Sequence, residues 1–333
     1  MRKRIVYLEI VCLCVLAVSG CDMIPSTPTE SSRAEAGSNK SSNGARGESE
    51  LYEPPVHLAD LEDRAINESS GIVASRRNPD LFWTHNDSGD GPFIYAFDRK
   101  GKNRGRWRVA NAQAIDWEDI AAGPGPQPGI PYLYIGDIGD NYSRREYVTV
   151  YRVAEPDITA ENSSSPANRI HATEAAEAFR LKYPDGKHDA ETLMVHPTTG
   201  DLYIITKTFN SESGIYKLKA PLTSASANTL VRLGKIGTPG LVGGLMTGGD
   251  ISPDGRRVVL CDYFNAYEMV LPDNAASDFD QIWKQPLATI KLGPRQQGQG
   301  VCYRLDGQAI LATSEKLPTP LIEVKRKKSQ TPQ

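Results

Sequence analysis

The sequence is poor in cysteine, in long apolar runs and in net charge, and each shortage excludes a class of protein. Of 5 Cys among 333 residues, only Cys261 and Cys302 lie beyond residue 21, so the rest of the chain can form at most one disulfide. Both occur in apolar, strand-like runs, which favours two buried thiols. The apolar run at residues 5–18 is shorter than the roughly 20 residues of a membrane-spanning helix. A formal net charge of −3 gives no electrostatic reason to bind nucleic acid.

Helical periodicity and catalytic motifs are scarce as well. Residues 172–179 (ATEAAEAF) have alanines at helical spacing, but they fit an outer β-strand equally well. The sequence contains no GxSxG, no HExxH and no phosphate-cradling glycine loop, so no motif requires catalysis. We therefore expect an all-β protein whose function depends on how its strands bring polar residues together.

The first 21 residues have the features of a secretory signal peptide. The cationic start MRKR is followed by the apolar run and then by VSGC, which is the usual order of a signal and its cleavage site. The quartet Val18-Ser19-Gly20-Cys21 resembles the lipobox of bacterial lipoproteins, and this resemblance implies cleavage before Cys21 and lipidation of that residue. The alternative is an ordinary signal peptide in which the cysteine occurs by chance.

Residues 22–55 are predicted to form a disordered tether. Between residues 22 and 50 there are seven Ser and no aromatic residue, a composition that buries too little apolar surface to offset chain entropy. Lipobox and tether together predict a domain anchored to a membrane of the cell envelope, on the extracytoplasmic side, either periplasmic or at the surface. Residues 326–333 form a basic tail that is predicted to be solvated, with contact to anionic lipid or phosphate as the alternative.

Residues 56–325 are predicted to form a β-propeller. Short β-rich runs bounded by Gly, Pro, Asn or Asp recur here, among them LFWTH, FIYAF, YLYIG, VTVYRV, LYIIT, RVVLCDY and AILATS. They fall into five successive units of four strands, except that the fifth unit lacks its last strand. Residues 56–61 (VHLADL) can supply that strand and close the ring. We therefore predict five four-stranded blades, with six as the alternative because the second interval between units is long.

The starts of the five units align as a motif rich in carboxylates. They read Glu68-Ser-Ser-Gly-Ile, Asp116-Trp-Glu-Asp-Ile, Asp189-Ala-Glu-Thr-Leu, Thr247-Gly-Gly-Asp-Ile and Gln297-Gly-Gln-Gly-Val. Because the first strand of each blade lines the central channel, these side chains should converge near one mouth of it. Converging carboxylates repel one another unless a cation or N–H groups neutralise them.

Ca²⁺ suits such a ring because it takes about 6–8 oxygen ligands. The predicted ligands of a structural Ca²⁺ are Asp116, Glu118, Asp189, Glu191 and Asp250. In the alternative reading the carboxylates accept backbone N–H groups of the neighbouring blade and need no metal. That alternative applies best to Glu68 and Asp250, whose neighbours are small.

A second polar set follows the second strands of the first three units. The loops HNDSGD (85–90) and GDIGDN (136–141) are rich in oxygen ligands, and propeller topology places them on the same face as the strand starts. The predicted ligand site comprises His85, Asn86, Asp87, Asp137, Asp140, Asn141 and Lys207. Neither a serine protease nor an EF-hand explains the first loop. Segments for a matching protease His and Asp are missing, and Phe97 stands where an EF-hand needs a bidentate Glu.

The motif set HNDSG, DWEDIA, GDIGDN, DAETL and GGDISPDG, spread over residues 66–316, resembles a group of bacterial secreted and membrane-tethered propellers, mostly of unassigned function. More remotely, it is similar to the phytase-like and esterase-like propellers, and this similarity implies calcium. The sequence departs from the pattern at residues 297–300, where Gln299 stands in place of the expected carboxylate. That departure weakens the prediction of a complete metal ring.

We therefore expect a membrane-tethered, extracytoplasmic propeller that binds a small ligand or a protein partner, with Ca²⁺ as its structural ion. The alternative is a metal-dependent hydrolase of phosphate or carboxyl esters. His85, His188 and the carboxylates would then be the candidates for its base. An assembly scaffold in the envelope is a third class of function that the sequence allows.

Overall fold

The structure, a computed structural model, describes residues 46–48, 51–159, 169–209, 211–238 and 244–328, which all belong to the part of the chain from residue 43 to residue 333. The predicted signal peptide, Cys21, most of the predicted tether and the end of the basic tail lie outside the described residues. Within the described ranges, no helix is long and apolar enough to cross a bilayer.

The described residues form five β-sheets arranged as the blades of a β-propeller, with almost no helix. The chain begins with β1 (Arg46–Glu48) and β2 (Val56–Asp60). Blade 1 contains β3 (Ser69–Ala74), β4 (Leu81–Asn86), β5 (Phe93–Asp98) and β6 (Asn103–Ala110). The next segment supplies β7 (Trp117–Pro124), β8 (Pro131–Asp137), β9 (Val148–Ala154), β10 (Ile170–Ala175) and β11 (Glu177–Lys182); all of these except β10 form blade 2.

The later strands repeat this arrangement. The third segment supplies β12 (Ala190–Val195), β13 (Leu202–Thr206), β14 (Ser213–Leu218), β15 (Asn228–Thr229) and β16 (Val231–Ile236); all except β15 form blade 3. Blade 4 contains β17 (Gly248–Ile251), β18 (Arg257–Cys261), β19 (Asn265–Val270) and β20 (Ala288–Lys291), with short 3₁₀ helices at Asp273–Ala275 and Phe279–Lys284 before β20. Blade 5 contains β21 (Gln297–Tyr303), β22 (Ala309–Glu315) and β23 (Pro320–Lys325), together with β2.

The prediction of five blades closed by an N-terminal strand is confirmed. β2 pairs antiparallel with β23, with Val56 opposite Glu323, so it is the fourth strand of blade 5. Tyr52 extends this seam through a backbone bridge to Arg326, and its hydroxyl donates to Glu268 Oε1 over 2.6 Å. The six-blade alternative is wrong, because the long second interval holds the additional strand β10 and no additional blade.

Three blades carry a fifth strand at their outer edge, which the sequence did not reveal. β10 pairs parallel with β6 of blade 1, β15 with β11 of blade 2, and β1 with β20 of blade 4. In each case the segment just before the fourth strand of one blade reaches back to the fourth strand of the preceding blade. Residues 172–179, which the sequence left ambiguous, therefore belong to strands. The added strands cover edges that would otherwise expose unpaired N–H and C=O groups.

Apolar layers between neighbouring blades hold the ring together. The inner strands β3 and β12 and the second strands β4 and β13 are buried along their whole length, because both faces of a blade meet another blade. Aromatic side chains fill the wider outer space, as where Trp83 meets Trp107 edge-on with centroids 5.1 Å apart. Cys261 and Cys302 are buried free thiols, as the sequence favoured.

Turn chemistry gives the ring two different faces. Short turns with Pro, Asp and Gly, such as residues 252–256, join first to second strands on one face. The opposite face, called here the mouth face, carries the loops that follow the second strands and the segments that enter the inner strands. Backbone hydrogen bonds join the two kinds of segment, from Asp87 N to Glu68 O and from Lys207 N to Asp189 O, each over 2.9 Å.

Candidate cation site at the channel mouth

Glu118 and Glu191 reach the channel because the inner strands are irregular at these residues. In blade 2, Trp117 and Asp119 pair with consecutive residues of β8, which leaves Glu118 without a partner in the ladder. The register shifts at the equivalent place in blades 1, 3 and 5, whereas blade 4 continues without a shift. Such a β-bulge re-aims the extra side chain. The repeated bulge therefore turns polar side chains toward the mouth.

Three carboxylates from two blades converge beside the bulge of blade 2. Oxygen atoms of Asp87, Asp116 and Glu118 all lie within 4.8 Å of one another. Asp87 follows the second strand of blade 1, whereas the other two begin the inner strand of blade 2. Gly139 lies against the group, since a Cβ there would collide with Glu118 Oε1 and lie 2.5 Å from Asp116 Oδ2. A side chain at position 139 would fill the space into which the carboxylates project.

The carboxylate of Glu118 is buried among like charges. Its residue is 2% exposed, and no described residue donates a hydrogen bond to its oxygens. Burial raises the pKa of Glu118 well above its usual range, and the charges of Glu191, Asp87, Asp116 and Asp189 raise it further. Burial and the charges of Asp87 and Asp189 also raise the pKa of Asp116 to about 6. Protons or a bound cation would relieve this repulsion.

Glu191 occupies the corresponding bulge of blade 3, but it has a partner. Its Oε1 accepts from the ammonium of Lys207, whose Nζ also lies 5.3 Å from the ring centroid of Tyr263. The second oxygen, Oε2, is buried and has no hydrogen-bond partner within the described part of the chain. Burial raises the pKa of Glu191 to about 8, and Lys207 opposes that rise.

An amide and a carboxylate line the blade 5 side of the mouth. Gln299 Nε2 donates to Glu315 Oε1 over 2.7 Å, and Gln299 Oε1 is buried without a partner among the residues described. Burial and the charges of Asp87 and Glu68 raise the pKa of Glu315, while the bond from Gln299 lowers it. Sequence reasoning missed Glu315, because it ends a second strand and lies outside the aligned strand starts.

Two residues of the predicted ligand site hold the blade 1 loop. His85 is buried, with Nδ1 2.9 Å from Asn86 O and its ring edge-on to Trp117. Burial lowers the pKa of His85, which favours a neutral core imidazole. Asn86 accepts from Glu68 N through Oδ1 and donates to Asp90 Oδ2 through Nδ2. Asn86 therefore holds the loop against the start of the inner strand, whereas His85 packs against Trp117 of blade 2.

Asp137 and Asp140 organise the blade 2 loop in the same way. Asp137 forms an ion pair with Arg145 at 2.8 Å. Asp140 accepts two backbone N–H groups of its own loop, and its own N–H donates to Asp189 Oδ1 over 2.7 Å. Asn141 is exposed at the loop surface. These contacts hold Asp189 and the loop in place beside the carboxylate cluster.

Asp250 lies apart from the other predicted cation ligands. Its two oxygens accept the N–H groups of Ile251 and Tyr303 over 2.8 and 2.9 Å, which is the capping arrangement that was the alternative to a metal. Asp250 takes the fourth position of the aligned motif, as Asp119 does in blade 2. Asp119 likewise accepts from the neighbouring blade, from Leu193 N of blade 3. A carboxylate at the third position of the motif therefore faces the mouth, whereas a carboxylate at the fourth position links two neighbouring blades.

The structure brings together six of the predicted site residues from both sets. Asp87, Asp116 and Glu118 form the cluster, and Asp189, Glu191 and Lys207 border it. Three carboxylates can supply at most about six of the 6–8 oxygens that Ca²⁺ takes, whereas Zn²⁺ prefers nitrogen and sulfur. All three residues of the cluster offer oxygen ligands. These residues fit a hard divalent cation.

The fold of this chain is similar to solved structures, although the sequence has no match to a described family. No family model matches the sequence, and no curated protein matches it. The structure is similar to that of a gluconolactonase from Xanthomonas campestris, at 12% sequence identity and a TM-score of 0.46, over 82% of this chain and 89% of that chain. The propeller assignment rests on the strand topology of this chain.

Proposed function

We propose that the protein binds a divalent cation, Ca²⁺ in the first instance, at the mouth of its propeller channel and binds a ligand or protein partner there. The observation that carries this proposal is the cluster of Asp87, Asp116 and Glu118 within 4.8 Å. A proton on Glu118 would relieve only part of the repulsion, because Asp87 and Asp116 also belong to the cluster. A cation removes the repulsion without a change in pH.

We also propose that this binding domain works at a membrane. The lipobox-like quartet ending at Cys21 and the polar segment after it support a lipid anchor in the cell envelope. Cys21→Ser should abolish incorporation of labelled fatty acid and move the protein from the membrane fraction to the soluble fraction. Unchanged labelling would refute the anchor and leave the cation site unaffected.

Hydrolysis of an ester is the second candidate, and Glu191 favours it. A carboxylate with a pKa of about 8 and an unpartnered oxygen is suited to take a proton from water near neutral pH. The activated water would attack an ester carbon or phosphorus held at the mouth, the bond from that atom to the ester oxygen would break, and the alcohol would leave with the proton that Glu191 had taken. Glu191→Gln should then abolish turnover of nitrophenyl esters or phosphates and leave cation binding in place. Absence of turnover in the wild type would leave a binding protein.

Thermal melting of the mature domain tests the cation site. Ca²⁺ at a hundredfold excess over Kd should stabilise the folded state by about 2.7 kcal/mol relative to chelator. For a domain of this size that shift corresponds to roughly 5–10 °C in Tm. Asp87→Asn and Glu118→Gln should remove the response because each deletes one charged ligand of the cluster.

Asp306→Asn is the matched control, because Asp306 is a surface aspartate in a turn of the opposite face, where it pairs with Arg304. This variant should keep the full response to Ca²⁺. A wild-type melt that is the same in chelator, in Ca²⁺ and in Mg²⁺ would remove the cation from the proposed function.

A further inference from the structure

Four exposed apolar side chains lie in segments of the mouth face. Phe209 is 72% exposed, Tyr142 70%, Phe264 68% and Ile115 58%. They belong to loops of blades 2, 3 and 4 on the mouth face. We call these four residues the rim. Large apolar side chains this exposed and grouped around a single opening mark binding surfaces more often than chance placement.

Each rim residue is at most two positions away from a residue of the site in sequence. Ile115 precedes Asp116, and Phe209 follows Lys207 by two residues. Phe264 follows Tyr263, whose ring lies near the Lys207 ammonium. Tyr142 belongs to the blade 2 loop that bonds to Asp189. A ligand that reaches the cation site would therefore meet the rim as well.

Exposed apolar side chains elsewhere on the described surface are of another kind. Those away from the mouth are aliphatic: Leu51, Val56, Ile170, Val231 and Val270. The exposed aromatic rings are thus confined to the mouth face within the described ranges. Flat rings add stacking, which aliphatic side chains do not provide.

The charges at the mouth restrict the chemistry of the ligand. With a divalent cation bound, the three carboxylates of the cluster keep a net charge of about −1. Asp189 and Glu315 add negative charge, whereas the charge of Glu191 is balanced by Lys207. An anionic ligand would be repelled, and a cationic one would compete with the ion. A neutral ligand rich in hydroxyl groups avoids both costs. Its hydroxyls can donate to carboxylates, which only accept, and its oxygens can fill the coordination positions that the cluster leaves open.

We propose that the mouth and its rim bind a neutral glycan, a proposal that rests on the cation site argued above. A sugar ring offers hydroxyls at its edge and a face of weakly positive C–H groups. An aromatic face carries negative charge density and attracts such groups. The hydroxyls meet the carboxylates and the cation, and the ring faces stack on Phe209 and Phe264. An extended chain can reach rim residues on more than one blade, which a single sugar would not.

The test begins with an array of neutral and acidic glycans, probed with the mature domain in Ca²⁺ and in chelator. We expect Ca²⁺-dependent binding to neutral glycans, followed by calorimetric titration with the tightest one. Phe209→Ala and Phe264→Ala should each weaken that affinity by at least about fivefold and leave Ca²⁺ affinity unchanged, since neither side chain is a cation ligand. Val231→Ala is the matched control, because Val231 is 60% exposed on the outer strand of blade 3.

The outcomes separate the two proposals. If Ca²⁺ binds normally but the array shows no binding, or binding to acidic glycans alone, the proposal of a neutral glycan is overturned and the proposed cation site stands. If a neutral glycan binds equally well in chelator but no longer binds the Phe variants, the rim binds the glycan and the cation takes no part in that binding. If the array is blank and an envelope protein is retained by the wild type but not by the Phe variants, the rim serves a protein partner and the glycan is overturned.

Discussion

At the scale of single residues, the site depends on the absence of a side chain as much as on charge. Gly139 is not among the glycines with positive φ, so its backbone conformation does not require glycine. The requirement is for space, because a Cβ at this position would collide with Glu118 and crowd Asp116. In the sequence GDIGDN, the second glycine leaves free the space into which Glu118 and Asp116 project.

Gly139→Ala should therefore damage cation binding selectively. The added methyl would displace two carboxylates of the cluster, and we expect Ca²⁺ affinity to fall by about tenfold or more. Overpacking of this kind costs about 1–3 kcal/mol of folding stability. Calorimetric titration with Ca²⁺ measures the first effect and urea unfolding the second. Gly234→Ala on β16 is the control, because a Cβ there meets nothing within 4 Å. Equal Ca²⁺ affinity in both variants would contradict the role of Gly139.

At the scale of strands, the sequence predicts the blades but not their irregularities. Runs such as LFWTH and LYIIT are rich in β-forming residues and are bounded by turn residues, so they mark β4 and β13 correctly. The added strands β1, β10 and β15 could not be predicted, because parallel pairing between two sheet edges produces no periodic pattern of apolar residues in either segment. The bulges could not be predicted, because the register of a strand pair depends on both strands. Glu118 and Asp250 have different surroundings because they occupy the third and the fourth position of the aligned motif.

The link that Asp250 makes between the inner strands of blades 4 and 5 should respond to pH. Burial raises its pKa to about 6, against about 4 in an unfolded chain. As pH rises, Asp250 ionises first in the unfolded chain. Its contribution to the free energy of unfolding is therefore fully present below about pH 4 and is lost as pH rises through about 6. The free energy of unfolding should fall by about 3 kcal/mol over this range, because one pKa unit corresponds to about 1.4 kcal/mol.

Asp250→Asn should abolish that loss, since an amide does not ionise. Urea unfolding in chelator at pH 4, 5, 6 and 7 gives the free energy of unfolding for both proteins, and their difference isolates Asp250 from the other carboxylates. Asp273→Asn, an exposed position paired with Arg256, should follow the wild type. Parallel curves for wild type and Asp250→Asn would show that the pKa of Asp250 is the same in the folded and unfolded chains.

At the scale of the whole molecule, stability depends on the seam where the two ends of the described chain meet. β2 completes blade 5, Leu61 and Tyr52 are buried beside it, and Glu268 accepts from Tyr52 and Tyr303. A chain that starts at Asn67 would expose the edge of β23 and lose these contacts. We expect its Tm to fall by more than 10 °C, with increased aggregation.

Circular dichroism melts measure this change. A chain that ends at Lys328 is the control, because it keeps every described strand and should melt like the full-length mature domain. If the chain starting at Asn67 melted at the wild-type temperature, closure by β2 would contribute nothing to stability.

The pairing of β1 also determines how the ring would respond to a mechanical load. Tension applied through residues before Arg46 reaches β1 first, and β1 is joined to β20 at two positions, Arg46–Ala288 and Glu48–Thr289. β2 is joined to β23 at four positions, and it lies one step further along the path of force. We expect β1 to separate from β20 before β2 separates from β23. The loss of β1 would then release chain length while the ring stayed closed. A pull on the N-terminal segment would then lengthen the chain while the channel mouth, on the inner strands, kept its geometry.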